Sequence, residues 1–203
     1  PKIFIDPGHS ISEPGAVGYE VERDLNEKVA EFMNEHLLAN YVCETKVDPV
    51  TNKSLSGVAE AANAWKADLL VSNHFNAGGG DGYEALVYSE KTVPLGEVFE
   101  KHVKAIGQNS RGAKTRKGSD GRDYYGFIRE TKAPAVIIEC AFVDNATDLQ
   151  MIDTAEEQAR MGVAIAKGII KTLGMAWVEP KPVAKEYVLD VAKLKAEGYS
   201  KIV

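Results

Sequence analysis

Short apolar runs alternate with amphipathic helical stripes along most of the chain. The runs with the length and β-branched content of strands lie at residues 2–6, 42–47, 68–74, 83–88 and 136–140. Between them, apolar side chains recur every three or four residues, which is the period of a helix that packs one face on a sheet. Strands separated by helices are typical of a sheet whose strands run parallel. We therefore predict an α/β domain with a mostly parallel central sheet flanked by helices.

Two capping boxes predict where helices begin. Asp24 is followed three residues later by Glu27, and Thr154 stands in the same relation to Glu157. In such a pair, each side chain accepts a hydrogen bond from the backbone of the other residue at the helix start. We therefore expect the first long helix to begin near Asp24, with Glu22 just before it.

Three segments depart from the alternating pattern. Residues 108–131 are glycine-rich and basic, which predicts a long loop that is either simply solvated or in contact with substrate. Two prolines in residues 176–186 indicate a linker that cannot continue the preceding helix. Residues 187–203 are too short to fold alone, so we expect the truncated start of a C-terminal, wall-binding domain or a tail. Residues 1–175 are then the main domain.

Composition excludes several classes of function. The net charge of −6 and the isoelectric point near 5.3 disfavour nucleic acid, because a polyanion is repelled by an acidic surface. No run approaches the roughly 20 apolar residues of a membrane span, and no basic-then-apolar signal segment precedes the first strand. Cys43 and Cys140 lie in apolar runs and are expected to be buried free thiols. We expect a monomer without a membrane partner.

A single carboxylate follows a buried apolar run. Val136, Ile137 and Ile138 precede Glu139, and the run is entered from a turn at Pro134. The edge at which parallel strands end is the usual ligand-binding edge of an α/β sheet. We expect Glu139 to leave the sheet at that edge, where it either acts in chemistry or forms a salt bridge with an arginine of residues 108–131.

Two histidines stand where apolar strands end. If those strands are parallel neighbours, His9 and His74 project beyond the same edge, and Glu22 can reach it from the following loop. Two histidines and a glutamate that leave a fourth position to water form a catalytic zinc set, here at the C-terminal edge of the strands. Each residue alone also fits a structural or solvated role. His36 and His102 are predicted to lie on solvated helix faces.

Two further polar residues belong to the same predicted edge. Asp6 precedes His9 and is either an acceptor that orients that histidine or a residue that stabilises the turn. Asn76 follows His74 by two positions and is expected to hold either the site or the substrate.

Four sequence blocks occur in order between residues 1 and 174. They are IFIDPGH at 3–9, ERDLN at 22–26, AAN at 61–63 with VSNHFNA at 71–77, and PAVIIE at 134–139 with FVDN at 142–145. Together they resemble the zinc-dependent N-acetylmuramoyl-L-alanine amidases of the type 3 family. Two positions depart from the usual pattern of the family, which has glycine in place of Ser10 and isoleucine in place of Asn73. Neither departure removes a candidate ligand.

The resemblance implies a site and a reaction. It implies that His9, Glu22 and His74 hold one zinc ion and that Glu139 is the catalytic glutamate. The implied reaction is hydrolysis of the amide between N-acetylmuramic acid and L-alanine in bacterial peptidoglycan. Two alternatives remain at this point, a zinc peptidase that cuts the stem peptide and a wall-binding module without activity. The missing signal segment fits a phage endolysin made in the host cytoplasm and released at lysis, and an excised autolysin domain would look the same.

Overall fold

The structure is a computed structural model that describes residues 1–49 and 54–175. The strands are β1 (Lys2–Pro7), β2 (Glu44–Val47), β3 (Leu69–Asn76), β4 (Tyr83–Val87), β5 (Ser110–Lys114) and β6 (Ala135–Phe142). The helices are α1 (Glu22–Asn40), α2 (Leu55–Trp65), α3 (Val93–Lys104), α4 (Gly126–Glu130), α5 (Ala146–Leu149) and α6 (Ala155–Thr172). A turn of 3-10 helix, Glu90–Thr92, leads into α3. The predicted linker and C-terminal segment lie outside the described residues.

The strands form one sheet in the order β2-β1-β3-β6-β4-β5. Neighbouring strands in the described sheet are parallel, except that β4 runs antiparallel to β6. The predicted α/β fold with a mostly parallel sheet is therefore confirmed. Because β1 and β3 are parallel neighbours, the chain segments that follow them leave the sheet at one edge.

The sheet is covered on both faces, and the side chains of β6 show which helices cover which face. Val136, Ile138 and Cys140 point into a larger core cluster with α1, α3 and α6. Ile137 points the other way, into a smaller core cluster with α2 and α4. Side chains alternate along a strand, so Glu139 lies on the face of Ile137. The candidate site therefore opens on the side of the smaller cluster.

The capping prediction holds for one helix and fails for the other. The box between Thr154 and Glu157 forms at the start of α6, as predicted. At α1, however, the helix begins at Glu22 after Val21, which makes no side-chain cap. The backbone N–H of Asp24 already donates to the carbonyl of Val21 at 3.1 Å, so the first turn is complete before Asp24 could act as a cap. Glu22 thus lies inside the first turn of α1.

The loop predicted for residues 108–131 is wrong in part, because it contains β5 and the short helix α4. β5 is a polar edge strand with the sequence SRGAK, so it has no apolar alternation that a pattern could detect. Edge strands commonly carry charge, which blocks pairing with another sheet.

Of the two histidines predicted on solvated helix faces, one is buried and the other is partly buried. His36 is only 6% exposed and lies in α1 beside Tyr41, with 6.4 Å between the ring centroids. His102 is half-buried against α6, near Ala159 and Lys167. In α1 and α3 the surface in contact with the rest of the protein is wider than the stripe of apolar residues. The spacing of apolar residues therefore underestimates how many residues of each helix are buried. Both cysteines are free thiols, as predicted, but only Cys140 is buried, because Cys43 is partly exposed. Among the described helices, none is both long enough and apolar enough to span a membrane.

Candidate metal centre

The structure brings His9, Glu22 and His74 together at the edge of the sheet. One ligand atom from each residue lies within 4.8 Å of the other two. His9 Nε2 is 3.0 Å from Glu22 Oε2, and His74 Nδ1 is 2.9 Å from Glu22 Oε1. The two imidazole rings meet edge to face with centroids 5.0 Å apart. Each histidine is therefore paired with a different oxygen of one carboxylate.

The loop after β1 presents His9 through an unusual backbone. His9 has φ +73°, in the left-handed region that few residues other than glycine adopt. Gly8, just before it, passes so close to the His74 ring that a Cβ at Gly8 would overlap the imidazole. Glycine at this position is therefore required for the first strand to approach the second histidine.

Glu22 is held by the backbone on both oxygens. Ala16 N–H donates to Oε2 at 2.7 Å, and Phe75 N–H donates to Oε1 at 3.1 Å. Gly15, at φ +75°, gives the loop room to fold over the carboxylate, since a Cβ there would overlap Glu22 and His9. The glutamate is thus fixed in place by donors that are independent of the two histidines.

The site favours a charged glutamate and a proton on His74. Burial alone would raise the pKa of Glu22, but hydrogen bonds from His74 and His9 outweigh it and lower the pKa to about 2. Burial alone would lower the pKa of His74, yet the hydrogen bond to Glu22 and the charges of Glu139, Glu22 and Asp6 raise it to about 9. The ionised carboxylate of Glu22 and the nitrogens of two adjacent imidazoles are groups that can bind a metal cation.

Glu139 lies beside this group, but not where the sequence placed it. It is in the middle of β6, which continues to Phe142, so the expectation that it leaves the sheet is wrong. It pairs in register with His74 of β3 on one side and Glu84 of β4 on the other. The apolar run of β6 therefore continues past Glu139. Glu139 is a polar residue within it because its side chain lies on the face of the sheet that opens to the cavity.

The environment of Glu139 favours its neutral form. Its Oε2 is buried and accepts no hydrogen bond from the described residues. Burial, followed by the negative charges of Glu22 and Glu84, raises the pKa of Glu139 to about 7 against the opposing effect of His74. The salt bridge considered with a loop arginine is not formed to Glu139, since Arg111 binds Glu84 instead.

Asp6 and Asn76 both line the cavity around the group. Asp6 Oδ2 accepts a hydrogen bond from Ser72 Oγ at 2.6 Å, which ties β1 to β3 two residues before His74. Asn76 Oδ1 accepts from Ala77 N–H at 2.8 Å, at the point where β3 ends. Asp6 therefore joins β1 to the strand that carries His74, whereas the side chain of Asn76 bonds to the backbone of the residue that follows it.

A cavity of about 660 Å³ extends from these residues over the smaller core cluster. Its far wall is largely apolar or aromatic and contains side chains that the sequence analysis did not place at the site, namely Leu55, Val58, Tyr124, Tyr125 and Phe127. Tyr124 and Tyr125 belong to the loop predicted at residues 108–131. The apolar pattern of α2 predicted only a helix that packs on the sheet. No sequence signal brought them together, because their positions depend on how α2 and α4 pack on the sheet.

An α/β sheet that carries a His–Glu–His group beside a buried carboxylate defines a metal-dependent hydrolase. Residues 3–171 match the family described as N-acetylmuramoyl-L-alanine amidase. The chain belongs to this family, as the four sequence blocks predicted. Membership of the family supports N-acetylmuramoyl-L-alanine amidase activity for this chain. The family is zinc-dependent in general, and the nitrogen and carboxylate donors of the group are ligands that zinc accepts.

Individual relatives agree with the family. The chain is 31% identical to the N-acetylmuramoyl-L-alanine amidase CwlM of Bacillus licheniformis, over 97% of this chain and 77% of CwlM. It is 32% identical to the sporulation-specific N-acetylmuramoyl-L-alanine amidase of Bacillus subtilis, over 76% of this chain and 61% of that protein. An endolysin of Bacillus phage SPP1 is 28% identical over 97% of this chain and 78% of its own length.

The fold agrees with a solved amidase domain. The catalytic domain of CwlV, an N-acetylmuramoyl-L-alanine amidase from Bacillus (Paenibacillus) polymyxa var. colistinus, superposes with a TM-score of 0.75 and 27% identity. The superposition covers 86% of this chain and 99% of that domain. The described residues therefore share the fold of the CwlV catalytic domain.

Proposed function

We propose that this chain hydrolyses the amide that joins the lactyl group of N-acetylmuramic acid to the L-alanine of the stem peptide. The observation that carries the proposal is that the His9, Glu22 and His74 group and the buried Glu139 open into one cavity. Metal-assisted hydrolysis of an amide uses a Lewis acid and a proton carrier, and this cavity offers residues that could hold the first and act as the second. Membership of the amidase family supports the choice of bond.

His9, Glu22 and His74 would hold one zinc ion and leave a coordination position for water or substrate. When bound, zinc would supply a positive charge that polarises the scissile carbonyl and makes water more acidic. The donors that hold Glu22 in place, Ala16 N–H and Phe75 N–H, keep its carboxylate oriented whether or not the histidines are protonated. Such supporting hydrogen bonds fix the direction of a metal ligand.

Glu139 would carry the proton. As a carboxylate it takes a proton from the attacking water while the water oxygen bonds to the carbonyl carbon. It then gives that proton to the nitrogen of L-alanine as the C–N bond breaks. A pKa raised by burial toward the pH of the reaction suits a group that must first accept and then donate. The products are a lactyl carboxylate and an L-alanine with a free amine.

Supporting roles follow for Asp6 and Asn76. We assign Asp6 to holding β3 against β1 through Ser72, and Asn76 to shaping the turn after β3 at the edge of the cavity. We further propose that residues 1–175 are the catalytic domain, that residues 176–186 are a linker, and that the enzyme acts as a monomer. Its place of action is the bacterial cell wall.

The test is to identify the ends that appear when purified cell walls are digested. We expect free L-alanine amines and no other new amine. Glu139→Gln should retain zinc and lower the rate by about 10²–10⁴-fold, the usual contribution of a general base. Glu97→Gln, on the exposed side of α3, is the matched control and should keep the wild-type rate.

Three outcomes would contradict parts of the proposal. A new amine within the stem peptide would identify a peptidase. A wild-type protein that is loaded with zinc and inert on walls would favour a binding module. A Glu139→Gln variant that hydrolyses walls at the wild-type rate would remove the assigned role of Glu139.

A further inference from the structure

Two cations lie on the same sheet face as Glu139, one strand beyond Glu84. Arg111 Nε is 2.9 Å from Glu84 Oε2, and Lys114 Nζ is 2.6 Å from the same oxygen. Two cations on one carboxylate leave a net charge of +1 at this place. The side chains of Arg111 and Lys114 are 43% and 41% exposed, so both remain accessible to a ligand.

A β-bulge places both cations on this face. Tyr83 pairs with Ser110 and Ala85 pairs with Ala113, so two residues of β5 face the single residue Glu84 of β4. Gly112, at φ +83°, is one of those two residues and permits the distortion.

The effect of the bulge follows from the register. In a regular ladder Lys114 would lie opposite Val87, whose side chain is in the larger core cluster. With the extra residue, Lys114 instead lies opposite Leu86, on the face of Glu84 and Glu139. The strand is therefore distorted in a way that brings a second cation to the face of the catalytic glutamate, and bulges beside active sites commonly re-aim a side chain in this way.

The distance from Glu139 to the cations matches a feature of the substrate. Both cations contact Glu84, which is one strand or about 5 Å from Glu139, so an anion bound on the far side of the cations lies roughly 10 Å from Glu139. In a stem peptide whose second residue is a glutamate joined through its side-chain carboxyl, the α-carboxyl group of that residue remains free. An extended chain covers roughly 3.5 Å per residue, which puts that carboxylate about 7–10 Å from the bond that is cut.

We propose that Arg111 and Lys114 form an anion subsite that binds the free α-carboxylate of the second stem-peptide residue. Glu84 holds the two cations at the correct spacing and neutralises only one of them. The inference rests on the proposed function, because it takes the scissile bond to be at Glu139. It adds a specificity: stems whose second residue carries a carboxylate are preferred over stems in which that group is a carboxamide.

The experiment compares two synthetic muropeptides that differ only in this carboxylate or carboxamide. For the wild type we expect kcat/KM to be about tenfold higher for the carboxylate, the discrimination that one charge-assisted hydrogen bond provides. Lys114→Met and Arg111→Gln should each reduce this preference through a higher KM for the carboxylate substrate, with little change for the carboxamide. Lys114→Arg should keep the preference. Lys104→Gln, on α3, is the matched control for loss of an exposed cation.

Binding to the Glu139→Gln variant, measured by calorimetry with the same two muropeptides, tests the subsite without hydrolysis. Tighter binding of the carboxylate that depends on Lys114 supports the inference. Equal affinity for both muropeptides, or equal losses on both substrates in the Lys114 and Arg111 variants, overturns it and leaves a purely structural salt bridge. Release of an amine other than that of L-alanine would overturn the proposed function instead.

Discussion

At the scale of single residues, two carboxylates on neighbouring strands have opposite environments. Glu139 has a buried oxygen without a hydrogen-bond donor among the described residues, which favours the protonated form. Glu84, directly opposite, is instead bound by the cations Arg111 and Lys114. When two neighbouring acids have such different environments, one can transfer a proton while the other acts as a fixed charge. Glu84 then acts on Glu139 through its charge.

This relation predicts the effect of Glu84→Gln on the pH dependence of the rate. The charge of Glu84 helps to raise the pKa of Glu139, and its removal also frees two cations nearby, so both effects lower that pKa. Because the general base must be ionised, the acidic limb of kcat/KM should move to lower pH. A pH profile between about 4 and 8 measures the shift, with Glu97→Gln as the control. A limb that stays in place or moves to higher pH would contradict the assigned influence of Glu84.

At the scale of elements, prediction succeeded where a repeating pattern carried the information. β1 and β3 were predicted from apolar runs, and parallel pairing then brought His9 and His74 to one edge without further assumptions. β5 could not be predicted, since a polar edge strand with a bulge shows no alternation. Glu84 was not predicted as a neighbour of Glu139 for a different reason. The antiparallel pairing of β4 with β6 depends on the arrangement of the whole sheet, and no local sequence pattern encodes it.

A buried amide network connects the elements that carry the candidate ligands. Asn26 Nδ2 on α1 donates to the carbonyl of Gly8 at 2.9 Å, and Asn73 Nδ2 on β3 donates to the carbonyl of Asn26 at 2.8 Å. Gly8 N–H donates to the carbonyl of Asn73 at 3.1 Å, so the three residues are joined in a ring of hydrogen bonds. Both asparagines are fully buried. The network therefore sets the relative positions of the loop with His9, the helix with Glu22 and the strand with His74.

Asn26→Ala should therefore weaken zinc binding as well as stability. We expect the affinity for zinc, measured by competition with a chromophoric chelator, to fall by about 10–100-fold, as for other residues that support metal ligands. Loss of a buried hydrogen bond should also cost about 1–3 kcal/mol of unfolding free energy in a urea titration. Glu35→Ala, at an exposed position of the same helix, is the control and should leave both quantities close to their wild-type values. A folded Asn26→Ala protein with the wild-type zinc affinity would show that the network supports the fold alone.

At the scale of the whole molecule, the candidate centre couples folding to both protons and metal. Without metal, the group that joins β1, α1 and β3 is held by hydrogen bonds between Glu22 and two imidazoles. A zinc ion would need the same nitrogens free of protons, so the ion and the proton compete for one place in the fold. The stability that zinc adds to the protein should therefore depend on pH.

The stability of the metal-free protein should fall as pH rises from about 6.5 to 9. The pKa of His74 is raised from 6.5 to about 9 in the folded protein. Its contribution, on the order of 3 kcal/mol, is thus complete below pH 6.5 and is lost as pH rises through 9. Glu139, with its pKa raised from 4.5 to about 7, adds a loss between those values. Zinc binding releases protons and strengthens with pH. Urea unfolding with zinc or with chelator should therefore show a difference that widens from pH 6 to 9. A difference that is constant or narrows would refute the competition between proton and metal at His74.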